Sequence, residues 1–122
     1  EKNSNKIILD AYNANPTSMR AALENFNQLD ANEKTIFIGD MFELGATSKK
    51  EHQEIVILAE NLGIDNIYLL GQHFFDTNHK VQTHSFKSFE DFSEAFKEKL
   101  KNNTILIKGS RGMALERILD LL

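Results

Sequence analysis

The chain has 122 residues, 41% hydrophobic and 26% charged, with 14 Lys and Arg against 18 Asp and Glu and a net charge of −4. That length and balance suit one globular domain with its own core, and they exclude a disordered, collagen-like or staple-dependent chain. The acidic surplus lacks the summed positive field that draws a protein to nucleic acid or anionic lipid; there is no cysteine, and no apolar run long enough to span a membrane. The start, Glu1–Lys6, is polar and unlike a secretory signal, so the chain is expected to be soluble and cytoplasmic. Its abrupt entry into an apolar triplet suggests a domain cut from a longer protein. With one Pro and no Ser/Gly-rich linker, residues 1–122 are expected to form a single domain without internal repeats.

Ile7-Ile8-Leu9 is a continuous apolar run closed by Asp10, the pattern of a strand covered on both faces of a parallel sheet. Asn13-Ala14-Asn15-Pro16 is turn chemistry, with Asn15 as helix cap and Pro16 at the first helical position. Met19, Ala22, Leu23, Phe26 and Leu29 then repeat at the helical period. Thr35–Ile38 predicts a second strand, closed by Gly39-Asp40, and Met41–Thr47 a loop. Ser48 and Glu51 have the spacing of a capping box; Ile55, Leu58, Ala59 and Leu62 line the helix, and Gly63 stops it. Asn66–Leu70 predicts a third strand, and Val81–Thr83 a short edge strand. Ser88 and Asp91 open a helix with Phe89, Phe92, Phe96 and Leu100 on its core face. Thr104–Ile107 predicts another buried strand, followed by a turn at 108–112 and a last helix carrying Leu115, Ile118, Leu119 and Leu122. Alternation at this spacing predicts a Rossmann-like, doubly wound α/β fold, a mostly parallel sheet of five or six strands with helices on both faces. Ligands of such sheets bind beyond the carboxyl ends of the strands, which directs attention to the turns after Leu9, Ile38, Leu70 and Ile107.

In the first turn, Asp10 at a strand tip is an acceptor-only group suited to paired ribose hydroxyls, although an Asx-type turn is the structural alternative. Tyr12 offers a ring face to a base or its hydroxyl to a phosphate, or else packs on its own loop. Asn13 and Asn15 carry both donor and acceptor, as reading an adenine edge requires; for Asn15 the cap role comes first. In the second turn, Asp40 and Glu43 are two carboxylates, too few to define a metal site. Glu43 reads as solvated loop charge, and His52 in the next helix as a packing or surface residue. In the last turn, Gly109 and Gly112 let amides converge while Lys108 and Arg111 bring full charges and Ser110 either caps the helix or meets a ligand. A carboxylate or phosphate suits that turn; a glycine turn with two solvated bases is the alternative.

No phosphate loop, dinucleotide fingerprint or His-Glu-x-x-His occurs, and no catalytic or metal-ligating residue is assigned. His73, His79 and His84 read as surface residues and the Phe89/Phe92/Phe96 stripe as core. A phosphorylated receiver domain shares the alternation but needs an Asp after the third strand, where this chain has Leu70-Gly71-Gln72.

Three blocks carry a family resemblance: Asp10-Ala11-Tyr12-Asn13-Ala14-Asn15-Pro16-Thr17-Ser18-Met19, Gly39-Asp40-Met41-Phe42-Glu43-Leu44-Gly45 and Ile107-Lys108-Gly109-Ser110-Arg111-Gly112. In order and spacing the chain resembles the C-terminal domain of the Mur ligases, closest to the branch that joins D-alanyl-D-alanine to UDP-MurNAc-tripeptide. The resemblance implies a part of an ATP-dependent ligase of peptidoglycan precursor and cell-wall synthesis, working through an acyl phosphate. An N-terminal domain and a central ATPase domain, absent from this chain, would be its partners and would hold most of the ATP and Mg²⁺. It implies Asp10 on the ribose, with Tyr12, Asn13 and Asn15 near the nucleotide. Lys108, Ser110, Arg111 and Asp40 would lie toward the dipeptide or tripeptide. The chain alone is expected to be inactive and to bind ATP weakly. Another Mur-type amide ligase, or a non-catalytic anion-binding module, is the alternative reading.

Overall fold

The computed structural model describes residues 4–122; the first part of the polar start, Glu1–Asn3, lies outside them. The strands β1 (Lys6–Asp10), β2 (Glu33–Gly39), β3 (Asn66–Leu70), β4 (His84–Phe86) and β5 (Asn103–Lys108) make one sheet. Its order is β1-β5-β2-β3-β4 and every neighbouring pair is parallel. Four helices connect them: α1 (Pro16–Asn27), α2 (Ser48–Asn61), α3 (Gln72–Phe75) and α4 (Phe89–Ala95), with short 3₁₀ segments at Gly45–Thr47, Arg111–Met113 and Leu115–Leu121.

The period-2 alternation of strand side chains divides the core into two layers. Ile36 and Ile38 of β2, Ile67 and Leu69 of β3 and Leu106 of β5 meet α1 and α2 through Met19, Leu23, Phe26, Ile55 and Ala59. Phe37, Tyr68, Leu70, Ile105 and Ile107 point the other way, onto Phe92 and Phe96 and onto Leu115 and Ile118. At the amino ends of the strands a buried polar layer replaces apolar contact. Asn5 donates to the Leu100 carbonyl and accepts from the Asn103 amide, and Thr35 donates to Asn103. The α1 cap is as expected: Asn15 accepts from the Ser18 amide while the Ser18 hydroxyl accepts from the Asn15 amide, and Pro16 follows.

Several expectations need correction. β1 is not covered on both faces: β5 inserts between it and β2, so β1 lies at the sheet edge with Ile8 and Leu9 exposed. No capping box forms at Ser48 and Glu51, because a 3₁₀ turn enters α2 from Gly45 and Ser48 is already helical. The fourth strand is His84–Phe86, and Val81 sits exposed in the turn before it. α4 stops at Ala95, and Phe96 and Leu100 reach the core from extended chain. The final helix is a pair of 3₁₀ segments broken at Ala114, whose φ of 51° no α-helix tolerates. Leu29 falls beyond α1 and is exposed.

Close approach explains the glycines at the strand tips. A Cβ on Gly109 would stand 2.8 Å from Leu115 and 3.2 Å from the Gly39 backbone. Gly71 combines φ of +116° with an approach to Asp40, whose carboxyl carbon a Cβ would strike. We expect Gly71→Ala to destabilise the fold by roughly 2–3 kcal/mol in a denaturant titration. Gly45→Ala, at φ +62° with nothing within 4 Å, should cost only about 1 kcal/mol.

Candidate functional site

Strand pairing brings the first and last tips together. β1 and β5 run in a register that sets Asp10 beside Lys108. The Lys108 side chain is only 3% exposed, and a buried ammonium must be paired. It donates to Asp10 Oδ2 at 2.6 Å and to the Asn13 carbonyl at 3.0 Å. The Asp10 side chain is 47% exposed, and its other oxygen has no recorded partner among the described residues. One carboxylate oxygen is thus anchored while the other is available to a ligand.

A cavity of about 340 Å³ is lined by Leu9, Ala11, Tyr12, Arg111 and Glu116, and so takes in the chain neighbours of Asp10 on either side but not Asp10 itself. Tyr12 is 77% exposed, and the Arg111 guanidinium carbon sits 5.6 Å from its ring centroid. An aromatic face, a cation and the acid Glu116 therefore share one concavity at the carboxyl edge of the sheet, where the fold places ligands, and Asp10 stands at the adjoining strand tip. Asn13 is exposed beside it, its carbonyl fixed by Lys108. Asn15 uses its side chain on the α1 cap. Glu116 escaped the sequence reading, since one acid after a glycine turn carries no pattern.

The other expected peptide-facing residues are placed differently. The Ser110 hydroxyl is buried and accepts from the Phe42 amide at 2.9 Å; it does not cap the following segment. Its amide donates to the Asp40 carbonyl, so the glycines around it provide close packing rather than converging amides. Asp40 is 3% exposed, and its carboxylate accepts from the His73 and Phe74 amides at 3.0 Å each. Lys108, Ser110 and Asp40 are therefore engaged inside the fold, and Arg111 carries the last-turn side chain left open to solvent. A second groove, lined in part by Phe42, Lys87, Phe89 and Arg117, opens at the tips of β3 and β4. It arises from residues far apart in sequence, and no local spacing announces it. Among the described residues, no group of three or more His, Asp or Glu side chains is placed to hold a metal ion, and no helix is long and apolar enough to cross a membrane.

The Mur ligase, glutamate ligase domain family matches residues 1–111. This chain belongs to that family. It is 38% identical over 122 residues to the UDP-N-acetylmuramoyl-tripeptide–D-alanyl-D-alanine ligase of Rickettsia prowazekii, covering 96% of this chain and 27% of the relative. The corresponding ligase of Bacillus subtilis is 35% identical, across 92% of this chain and 26% of the relative. Among solved structures, the MurF ligase of Thermotoga maritima in complex with ADP superposes with a TM-score of 0.82 and 25% identity, over 99% of this chain and 28% of that one. MurF of Acinetobacter baumannii gives a TM-score of 0.78 at 28% identity, over the whole of this chain and 29% of that one. The chain thus spans about a quarter of the length of the Mur ligases it matches.

His52, read from the sequence as a packing or surface residue, is fully buried beyond the tip of β2 and holds the chain that follows Asp40. Its Nδ1 donates to the Ser48 carbonyl at 2.7 Å, and Nε2 accepts from the Met41 amide at 3.0 Å. That arrangement requires the neutral ring, and burial lowers its pKa below the usual histidine value. The unfolded chain therefore binds this proton first. The stabilisation is present above the unfolded value of about 6.5 and is lost progressively as pH falls from there through the lower folded pKa. Melting temperature should drop on acidification below that point, and His52→Gln should flatten the dependence, while His73→Gln, which removes a stacked ring that adds to the lowering, should only weaken it.

The Asp10–Lys108 pair predicts an asymmetry. Asp10→Ala strands a buried ammonium on one carbonyl and should cost about 2–3 kcal/mol, short of a wholly buried pair because Asp10 is half exposed. Lys108→Met leaves a carboxylate that water can reach, so chemical denaturation should record a loss below about 1 kcal/mol.

Proposed function

We propose that residues 1–122 are the C-terminal domain of an ATP-dependent ligase that joins D-alanyl-D-alanine to UDP-MurNAc-tripeptide through an acyl phosphate. In this reading an N-terminal and a central ATPase domain complete the enzyme, which acts in the cytoplasm in peptidoglycan precursor synthesis. The observation that carries the proposal is the meeting of Tyr12 and Arg111 at one cavity on the carboxyl edge of the sheet, with the half-exposed Asp10, paired to Lys108, at the same strand tips. The ligase activity named for the relatives and the ADP complex of the Thermotoga neighbour support it.

The donor set suits a nucleoside. The available oxygen of Asp10 accepts ribose hydroxyls, Tyr12 supplies a stacking face, and the exposed Asn13 amide is at hand for the base or phosphates. Arg111 brings a planar cation to a phosphate or a peptide carboxylate. Mg²⁺ we assign to the remainder of the enzyme, because Asp10 is paired with Lys108 and Asp40 is enclosed by two amides. This edge would close over the nucleotide, exclude water from a hydrolysable acyl phosphate and hold the incoming amine in line.

The test is the full-length protein with ATP, UDP-MurNAc-tripeptide and D-alanyl-D-alanine, following ADP release and the ligated product. Efficient use of a different amino acid in place of the dipeptide would move the assignment to another Mur-type ligase; absence of ATP turnover would leave an anion-binding module. Tyr12→Ala should weaken ADP binding by about tenfold in calorimetry, the usual scale of a lost aromatic–base stack. The 122-residue chain by itself should give no ligation and no submicromolar ATP binding.

A further inference from the structure

We infer that Lys108 is a positioning residue for the nucleotide side of the site, acting through Asp10 and the Asn13 carbonyl, and that it does not contact the peptide substrates. The inference deepens the function proposed above and rests on it. Three observations lead to it. The ammonium is enclosed, on a side chain 3% exposed, so no substrate carboxylate reaches it without dismantling the strand tips. Its two recorded hydrogen bonds, at 2.6 Å and 3.0 Å, both go to the β1–α1 turn, one to each side of Tyr12 in sequence. Finally, it holds a single oxygen of Asp10, which fixes the rotamer of a half-exposed carboxylate and leaves the second oxygen for a ligand.

A carboxylate at the end of a strand otherwise samples several rotamers and competes for water, and ordering it at the moment of binding carries an entropic cost. Lys108 removes that cost in advance, and it also ties the Asn13 carbonyl so that the Tyr12 turn keeps its shape. Because the lysine lies on β5 and the carboxylate on β1, Lys108 acts on the nucleotide side through this bond and not by direct contact. Arg111 is then the member of that turn left to meet a ligand directly.

The experiment compares wild-type full-length protein with Lys108→Met, Lys108→Gln, Asp10→Ala and the Lys108→Met/Asp10→Ala double variant. Folding is checked by circular dichroism and thermal melting, ADP affinity by calorimetry, and KM for ATP and for D-alanyl-D-alanine in the ligation assay. Lys108→Met should weaken ADP binding and raise KM for ATP by about tenfold, the scale of a lost charge-assisted hydrogen bond, with KM for the dipeptide unchanged. Lys108→Gln, which keeps two N–H donors, should recover part of the loss, and it supplies the reading if the methionine variant fails to fold. In the Asp10→Ala background the Lys108→Met penalty should shrink to less than about threefold, since a residue acting through another has little left to act on. A raised KM for the dipeptide with ADP affinity intact overturns the inference, and so does a full tenfold penalty in the Asp10→Ala background. Wild-type protein that binds no ADP overturns the proposed function and this inference with it.

Discussion

A lysine ammonium buried at the end of a parallel strand is unstable unless a carboxylate meets it, and that requirement organises this molecule's functional edge. Lys108 closes β5 and Asp10 closes β1, strands far apart in sequence but adjacent in the sheet because β5 inserts between β1 and β2. The ion pair is therefore also a topological marker: it forms only with the strand order β1-β5-β2-β3-β4 and only in the observed register. A slip of β1 by one residue would turn Asp10 to the other face of the sheet, away from Lys108. The same contact reaches the Asn13 carbonyl, so the pairing of two strands extends into the turn that carries Tyr12.

Around that pair the tips are packed too tightly for their polar groups to serve a ligand as well. Asp40, Ser110 and His52 each fix a backbone amide of a neighbouring segment: His73 and Phe74, Phe42, and Met41 respectively. Gly39 and Gly109 bring β2 and β5 within reach of Leu115, which lies over both. The edge is thus rigid on the side of β2 and β5, and the exposed groups Tyr12, Asn13 and Arg111 stand on a braced base. Pre-organisation of this kind lowers the ordering cost of binding. Exposed Ile8 and Leu9 on β1 continue the same rim.

Much of the fold was legible because its signals are local. Asn15-Pro16 names the start of α1, Ser88 the start of α4, and the alternation of apolar runs with helical periods names the sheet class. What failed was decided at long range. An apolar triplet such as Ile7-Ile8-Leu9 reads the same at the centre or the edge of a sheet, and only the insertion of β5 settles which. Ser48 and Glu51 have the spacing of a cap, yet the 3₁₀ turn from Gly45 makes Ser48 helical and frees its hydroxyl to approach His52 and His73. In the candidate site, the turns at the strand tips pointed to Asp10, Tyr12 and Arg111, and the structure brings Tyr12 and Arg111 together at one cavity. The enclosure of Lys108, Asp40 and Ser110 was not, since charge and spacing say which groups a turn carries but not which face one another.

The distinction between enclosed and exposed cations changes how the last turn is understood. A Lys-Gly-Ser-Arg-Gly segment looks like an anion cradle, with two positive charges, a hydroxyl and free amides. Here one charge is neutralised by Asp10, the hydroxyl is held by the Phe42 amide, and the Ser110 amide is bound to the Asp40 carbonyl. Arg111 alone keeps its cation open, and even it leans on Tyr12. An arginine over an exposed aromatic ring keeps its planar fork oriented while its N–H donors stay free. The turn therefore presents one directed cation rather than a diffuse positive patch. That geometry favours recognition of a single oxyanion at a defined place, which is what a clamp on a nucleotide or a peptide terminus requires.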